Sequence, residues 1–266
     1  MTHLDLHSLR HPLGAIAREA GRAILEVYSQ PFEVDYKDDA TPLTQADLAA
    51  HRLIRRRLSD LRGDVPLLSE EGVEIPFDTR RAWGACWIVD PLDGTREFVN
   101  RTDEFTVNIA LVVGGRSVLG VVHAPVLDLT YVGGPTLGAW RGEGDGPLEA
   151  IAVRPPTSRE LRVFASRSHA GRETQTFLAS LAERHDLHVT SRGSALKACF
   201  VADGQAHLYP RLGVTFEWDT AASQAIVEGA GGVLRQIGSD APLRYNKRDL
   251  RNPPFYVAYG PDAPHP

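Results

Sequence analysis

Apolar residues at Leu9, Leu13, Ile16, Ala17, Ala20, Ile24 and Val27 recur at intervals of three and four, which predicts an amphipathic opening helix with one buried face. A second helix is expected soon after it. Thr44 stands three residues ahead of Asp47 in the spacing of a capping box, and Leu48, Ile54, Leu58 and Leu61 carry the helical period as far as Gly63. Arg52, Arg55, Arg56 and Arg57 then form its solvated side. From Cys86 the texture changes: CWIVD is short, apolar and β-branched, PLDGT reads as a turn, and FTVNIALVV, SVLGVVHAPV and LTYVGG read as successive strands of a sheet.

Beyond about residue 155 the pattern alternates. A strand is expected over 161–166, a helix over 174–184, a strand over 187–190 and a helix from Ser194. A last helix starts near Asp219, carries Ala222, Ala225, Ile226 and Ala230 on one period, and stops at Gly231 and Gly232. No internal repeat, low-complexity tract or linker interrupts this order. The expectation is an N-terminal α+β lobe over 1–155 and a C-terminal α/β lobe over 156–266, packed as one rigid body.

Composition narrows the function classes. The 266 residues are 42% apolar, enough for an ordinary packed core. With 29 basic against 34 acidic residues the net charge is −5, which gives no electrostatic reason to bind long nucleic acids or anionic membranes. The two cysteines, Cys86 and Cys199, lack any CxxC or Cys/His spacing and read as small core residues rather than a disulfide or zinc framework. No stretch reaches the roughly 18 apolar residues of a spanning helix, and the first 21 residues hold no continuous apolar run, so a soluble cytoplasmic protein is expected. GEGDG at 142–146 superficially looks like a phosphate loop, but it leads from no strand into a helix and reads as a solvated turn.

The chemistry concentrates in WIVDPLDGTREF. Asp90 is expected to end an apolar strand and Asp93 to lie on the turn after it, so two carboxylates come close together. Such a pair either shares a proton or binds cations, and an all-oxygen donor set suits Mg²⁺. Asp-x-x-Asp-Gly is also ordinary turn chemistry, and the segment alone leaves both readings open. Further acids tip the balance: Glu70 and Glu71 end the run LLSEEG, and Asp219 opens a helix in FEWDTAA. Each has a plain explanation by itself, the glutamates as a solvated loop and Asp219 as a helix cap. Gly94 and Thr95 are placed to open a short helical turn whose amides could face a phosphate.

SEEG, WIVDPLDGTREFVNRTDEFTVNIALV and EWDTAASQAIVEGAGG, in that order, resemble the lithium-sensitive magnesium phosphatases related to inositol monophosphatase and fructose-1,6-bisphosphatase. Within them, Arg96, Glu97 and Phe98 after DGT, SRSH at 166–169 and YPR at 209–211 are most similar to the 3'(2'),5'-bisphosphate nucleotidase group. The resemblance implies a layered α/β/α/β sandwich with the site between the lobes. It implies one magnesium held by Glu70, Asp90 and the Leu92 carbonyl and a second by Asp90, Asp93 and Asp219. It also gathers Asp47, Glu71 and Thr95 around the attacking water, with Glu71 an added candidate ligand and a third, weakly held magnesium as an option. Glu70 and the Asp47/Thr95 pair both stand as candidate bases. Glu70, Leu92, Asp93, Gly94, Thr95, His169, Ser194, Lys197, Arg211 and Asp219 would face the substrate, implied to be adenosine 3',5'-bisphosphate, a by-product of sulfate assimilation. Inositol phosphates and sugar bisphosphates are the alternative substrates. A nucleotide-binding sensor without turnover is the alternative of another class, which the intact Glu70, Asp90, Asp93, Thr95 and Asp219 argue against. Two departures from the family pattern, Ala195 and Ser223, remove no implied metal ligand and could alter the pocket's shape.

Overall fold

Asp5 opens helix α1 (Leu6–Tyr28) by accepting the amides of His7 and Ser8 on Oδ1 at 3.1 and 3.3 Å. The computed structural model describes residues 5–32, 34–36, 42–166 and 171–265. Leu9, Leu13, Ile16, Ala17, Ala20 and Ile24 are buried as the period predicts, and Val27 packs at the edge of the same cluster. After the short pair β1 (Val34–Tyr36) and β2 (Pro42–Thr44), helix α2 (Gln45–Arg62) starts at the expected cap and ends at Gly63. Arg52, Arg55 and Arg56 are exposed, while Arg57 lies partly covered against Glu19 at 3.3 Å.

The middle of the chain runs β3 (Leu67–Ser69), α3 (Phe77–Arg80), β4 (Ala85–Asp93), α4 (Thr95–Val99), β5 (Thr106–Val113), β6 (Arg116–Ala124), β7 (Leu129–Gly134), β8 (Gly138–Glu143) and β9 (Glu149–Ile151). These seven strands form one sheet in chain order, parallel between β3 and β4 and antiparallel thereafter. The first two residues of GEGDG end β8, and 144–146 make the turn toward β9 that the sequence suggested. The remainder runs β10 (Glu160–Ser166), α5 (Arg172–Ala182), β11 (Asp186–Arg192), α6 (Leu196–Ala202), β12 (Leu208–Arg211), α7 (Glu217–Gly229), β13 (Val233–Gln236) and β14 (Phe255–Ala258). Its five strands order as β11-β10-β12-β14-β13.

Three apolar clusters define the layers. Helices α1 and α2 bury their faces against Trp87, Val89, Ile109 and Val121 on one side of the large sheet. The other side, with Ile88, Ala110 and Val122, packs on α6 and α7, which in turn cover Tyr209, Leu234 and Val257 of the small sheet. Phe177 and Leu181 of α5 close the far side over Leu161, Val163 and Tyr256. The expected α/β/α/β layering is present, and α5 adds a further helical layer. Helix α7 lies on the large sheet almost backbone to backbone: a Cβ at Gly120 of β6 would sit 2.1 Å from the Ala222 carbonyl oxygen. Cys86 and Cys199 are buried and unbonded to each other. Among the described residues, no helix is long and apolar enough to cross a membrane.

Candidate active site

Strand β4 does not stop at Asp90, as the sequence suggested, but continues to Asp93 with one irregular step. Asp90 pairs with Asn108 and Asp93 with Thr106, so three steps on β4 oppose two on β5. One extra residue is therefore accommodated as a bulge. Strict alternation would send residues three apart to opposite faces. The bulge restores them to one face: Leu92 turns into the cluster under α1 and α2, while Asp90 and Asp93 both line the cavity on the other side. Pro91 lies within this step, where no ladder pairing is made.

Asp219 reaches the same place from α7. Its Oδ2 accepts the Phe216 amide at 2.8 Å, so the capping role read from the sequence is real and leaves Oδ1 uncommitted to that bond. Oxygens of Asp90, Asp93 and Asp219 lie within 4.8 Å of one another. Asp90 accepts the Leu92 amide at 3.0 Å. Asp93 Oδ2 is held by the Ala195 amide at 2.6 Å, Asn108 Nδ2 at 3.2 Å and Thr106 Oγ1 at 3.5 Å. Burial raises all three carboxyls above the usual range, and repulsion from neighbouring carboxylates adds to it at Asp90 and Asp219. Around Asp90, Glu70, Asp93 and Asp219 all push in that direction; Lys197 and Arg211 relieve Asp93. One buried and two half-buried carboxyls, crowded together and offering only hard oxygen donors, fit a divalent cation such as Mg²⁺.

These groups line a cavity of about 490 Å³ between the two sheets. Glu70, Leu92, Gly94, Thr95, Ser194, Lys197 and Arg211 line it too. Gly94 adopts φ 94° at the head of α4, a conformation that favours glycine. Asp47 and Glu71 stand outside the lining. Asp47 nonetheless touches it through Thr95, whose Oγ1 is 3.5 Å from Asp47 Oδ1 and 3.4 Å from the Leu92 carbonyl. Asp47 Oδ2 also accepts the amide and hydroxyl of Thr44, at 2.8 and 2.6 Å, so cap and site contact coexist. Burial pushes its carboxyl up to about 6, with Thr44 opposing and Glu71 and Glu70 adding to the rise.

Lys197 is buried, and desolvation lowers its ammonium to about 8 despite the nearby Asp93. Its Nζ donates to the Ser194 carbonyl at 2.6 Å and lies 5.2 Å from the centre of the Tyr209 ring. Arg211 Nη2 donates to Val214 O at 3.1 Å. His169 lies outside the described residues. Ala195 contributes its amide to Asp93, a contact that requires no particular side chain. Ser223 lines the cavity and donates to the Thr220 carbonyl at 3.2 Å. Sequence reading missed Arg192 and Glu104, which form an ion pair at 2.9 Å on the cavity's rim. Partners 88 residues apart leave no local signal.

A sequence model of the inositol monophosphatase family matches residues 5–259. The chain belongs to that family. It is accordingly a phosphatase, which agrees with a cavity lined by both an acidic cluster and basic side chains. Over 246 residues it is 45% identical to the 3'(2'),5'-bisphosphate nucleotidase CysQ of Escherichia coli strain K12, covering 91% of this chain and 96% of the relative. The CysQ nucleotidase of Aggregatibacter actinomycetemcomitans is 37% identical over 266 residues, covering 99% and 97%. Among solved structures, CysQ from Bacteroides thetaiotaomicron superposes with a TM-score of 0.83 at 41% identity, covering 94% of this chain and 97% of the other. The Thermotoga maritima IMPase superposes at 0.76 with 25% identity, covering 93% and 90%.

Proposed function

We propose that this family member is a magnesium-dependent 3'(2'),5'-bisphosphate nucleotidase that converts adenosine 3',5'-bisphosphate to AMP and phosphate. The observation that carries the reading is one cavity lined both by the cluster Asp90, Asp93 and Asp219 and by Lys197 and Arg211. The acidic groups suit cations and the phosphoryl group to be cleaved. The basic groups suit a second phosphate that stays on the product. Similarity to nucleotidases over nine-tenths of the chain supports the nucleotide over an inositol or sugar phosphate.

In this reading Glu70, Asp90 and the Leu92 carbonyl hold one magnesium, and Asp90, Asp93 and Asp219 hold a second. Such a pair supplies Lewis-acid polarisation of the phosphoryl oxygens and a lowered pKa for water. The chain's own residues position the reactants. Thr95 Oγ donates toward Asp47 and offers its lone pairs to orient the attacking water, with Glu70 as the alternative acceptor of the water's proton. Glu71 adds negative charge beside Asp47, consistent with a weaker third cation. Gly94 permits close backbone approach to the phosphate, and Ser194, Lys197 and Arg211 fix the rest of the nucleotide. The lobes 1–155 and 156–266 are taken to meet at this cavity.

The test is phosphate release with Mg²⁺ from adenosine 3',5'-bisphosphate, inositol 1-phosphate and fructose 1,6-bisphosphate at equal concentration, each repeated with EDTA. EDTA-sensitive preference for the nucleotide is expected. Preference for inositol 1-phosphate overturns the substrate and keeps the metal site. Asp93→Asn checks the ligand set: turnover should fall by at least about a hundredfold in a folded protein, and unchanged turnover refutes it.

A further inference from the structure

Ser194, Ala195 and Lys197 reach the cavity on the segment that leaves β11 and enters α6. Edge strand β11 is largely exposed, so the strand itself does little to fix where that segment lies. Contacts with the end of β4, with α4 and with the segment between α4 and β5 fix it instead. Glu104, only 8% exposed, accepts Arg192 Nη1 on Oε1 at 2.9 Å and the Gly193 amide on Oε2 at 2.8 Å. Gly193 approaches so closely that a Cβ there would lie 2.6 Å from Glu97 Cγ and 2.8 Å from the Glu104 carbonyl oxygen. Two residues on, the Ala195 amide meets Asp93. Between these anchors Ser194 is held at φ 49°, a conformation unfavourable for a side-chain-bearing residue unless its surroundings impose it.

We propose that Glu104 is a positioning residue for substrate: its carboxylate clamps Arg192 and Gly193, and thereby sets Ser194 and Lys197 at the distance from Asp93 that a bound phosphate ester requires. The inference rests on the phosphatase reading of the cavity. It assigns Glu104 to binding geometry and not to the chemical step, because its carboxylate is committed to the clamp. Substituting Glu104→Ala removes both acceptors and frees the loop, whereas Glu104→Gln keeps an oxygen for the Gly193 amide and loses the charge that faces Arg192.

Steady-state kinetics on adenosine 3',5'-bisphosphate and amide hydrogen exchange on the metal-free full-length chain test this together. Glu104→Ala should raise KM about tenfold while kcat changes less than about threefold, and Glu104→Gln should recover most of the loss. In the exchange experiment the Gly193 and Ala195 amides of the alanine variant should lose protection at least about tenfold, with β4 and β5 unchanged. An unchanged KM, a loss confined to kcat, or unaltered protection at Gly193 and Ala195 overturns the proposal. Should the alanine variant fail to fold, Glu104→Gln decides alone, with a KM rise of about two- to threefold expected. A wild type that releases no phosphate from this nucleotide refutes the proposed substrate, while the exchange measurement, which needs no substrate, still decides the clamp.

Discussion

Asp90→Asn should cripple the enzyme and stabilise its metal-free fold. Asp90 is buried, and every neighbouring charge that acts strongly on it is negative: Glu70, Asp93 and Asp219. Its folded-state pKa therefore lies above the unfolded value of 3.8, and the fold retains a proton that the unfolded chain releases. Stability is consequently full below about pH 4 and declines as pH rises toward the folded value. Above the unfolded value, keeping this carboxyl buried costs the fold stability, whether it holds its proton or carries a buried charge. Asparagine carries no such penalty. Its Oδ1 can still accept the Leu92 amide, and its amide group can donate to the Glu70 side. Thermal unfolding in EDTA should thus show the variant more stable than the wild type at pH 7, within the range of about 0.5–3 kcal/mol usual for one substitution, with the difference vanishing near pH 4. With Mg²⁺ the order should reverse, because the wild type gains binding energy that the variant forfeits. Turnover should fall by at least about a hundredfold. A variant less stable than wild type in EDTA at pH 7, or one that turns over normally, refutes the reasoning.

Mg²⁺ should raise the thermal midpoint of the wild type more at pH 8 than at pH 5, because carboxyls held above their usual range must lose protons to bind it; titration of the midpoint with Mg²⁺ at both values checks this. Thr44→Ala removes the hydroxyl that bonds Asp47 and caps α2, so stability should drop about 1 kcal/mol by denaturant titration. The same substitution removes the largest influence holding Asp47 down, so the acidic limb of the kcat/KM profile should move to higher pH; a fixed limb excludes Asp47 from the titration. Gly120→Ala sets a methyl against the Ala222 carbonyl and should cost about 1–3 kcal/mol, with lost activity following the displacement of α7; a neutral outcome in denaturant titration would mean the helix does not rest there.

How legible the molecule was depended on how local each cause is. The periods of α1 and α2 and the Thr44–Asp47 box are satisfied within a few residues, and they stand in the structure as read. The end of β4 was misplaced because Pro91 and Asp-Gly carry the local chemistry of a turn, while what extends the strand is pairing of Asp93 with Thr106. That pairing is also what aims Asp90 and Asp93 the same way, so spacing in sequence could bring the two acids near but could not orient them. Strands β12 to β14 escaped reading for a similar reason: each is four residues long and owes its existence to partners across the small sheet. Asp219 was legible both as cap and as a member of the acidic cluster, and the structure places it in the cap bond and among the cavity's carboxyls. Glu104 looked like one more polar residue before a strand, since Arg192 and Gly193 arrive from the other half of the chain.

The contact at Gly120 bears on how such an enzyme could be redesigned. Interiors usually absorb substitutions by exchanging side-chain volume, and the distance between two elements drifts accordingly. Where main chain rests on main chain there is no volume to exchange. The gap between the sheet that carries Asp90 and the helix that carries Asp219 is therefore gauged, at β6, by atoms that no side-chain substitution alters, apart from one at the glycine itself. The loop of residues 192–197 meets main chain at Gly193, against the Glu104 carbonyl, and otherwise hangs on the carboxylates of Glu104 and Asp93. Changes that retarget the substrate belong on that loop, whereas a change of ion would demand moving a helix.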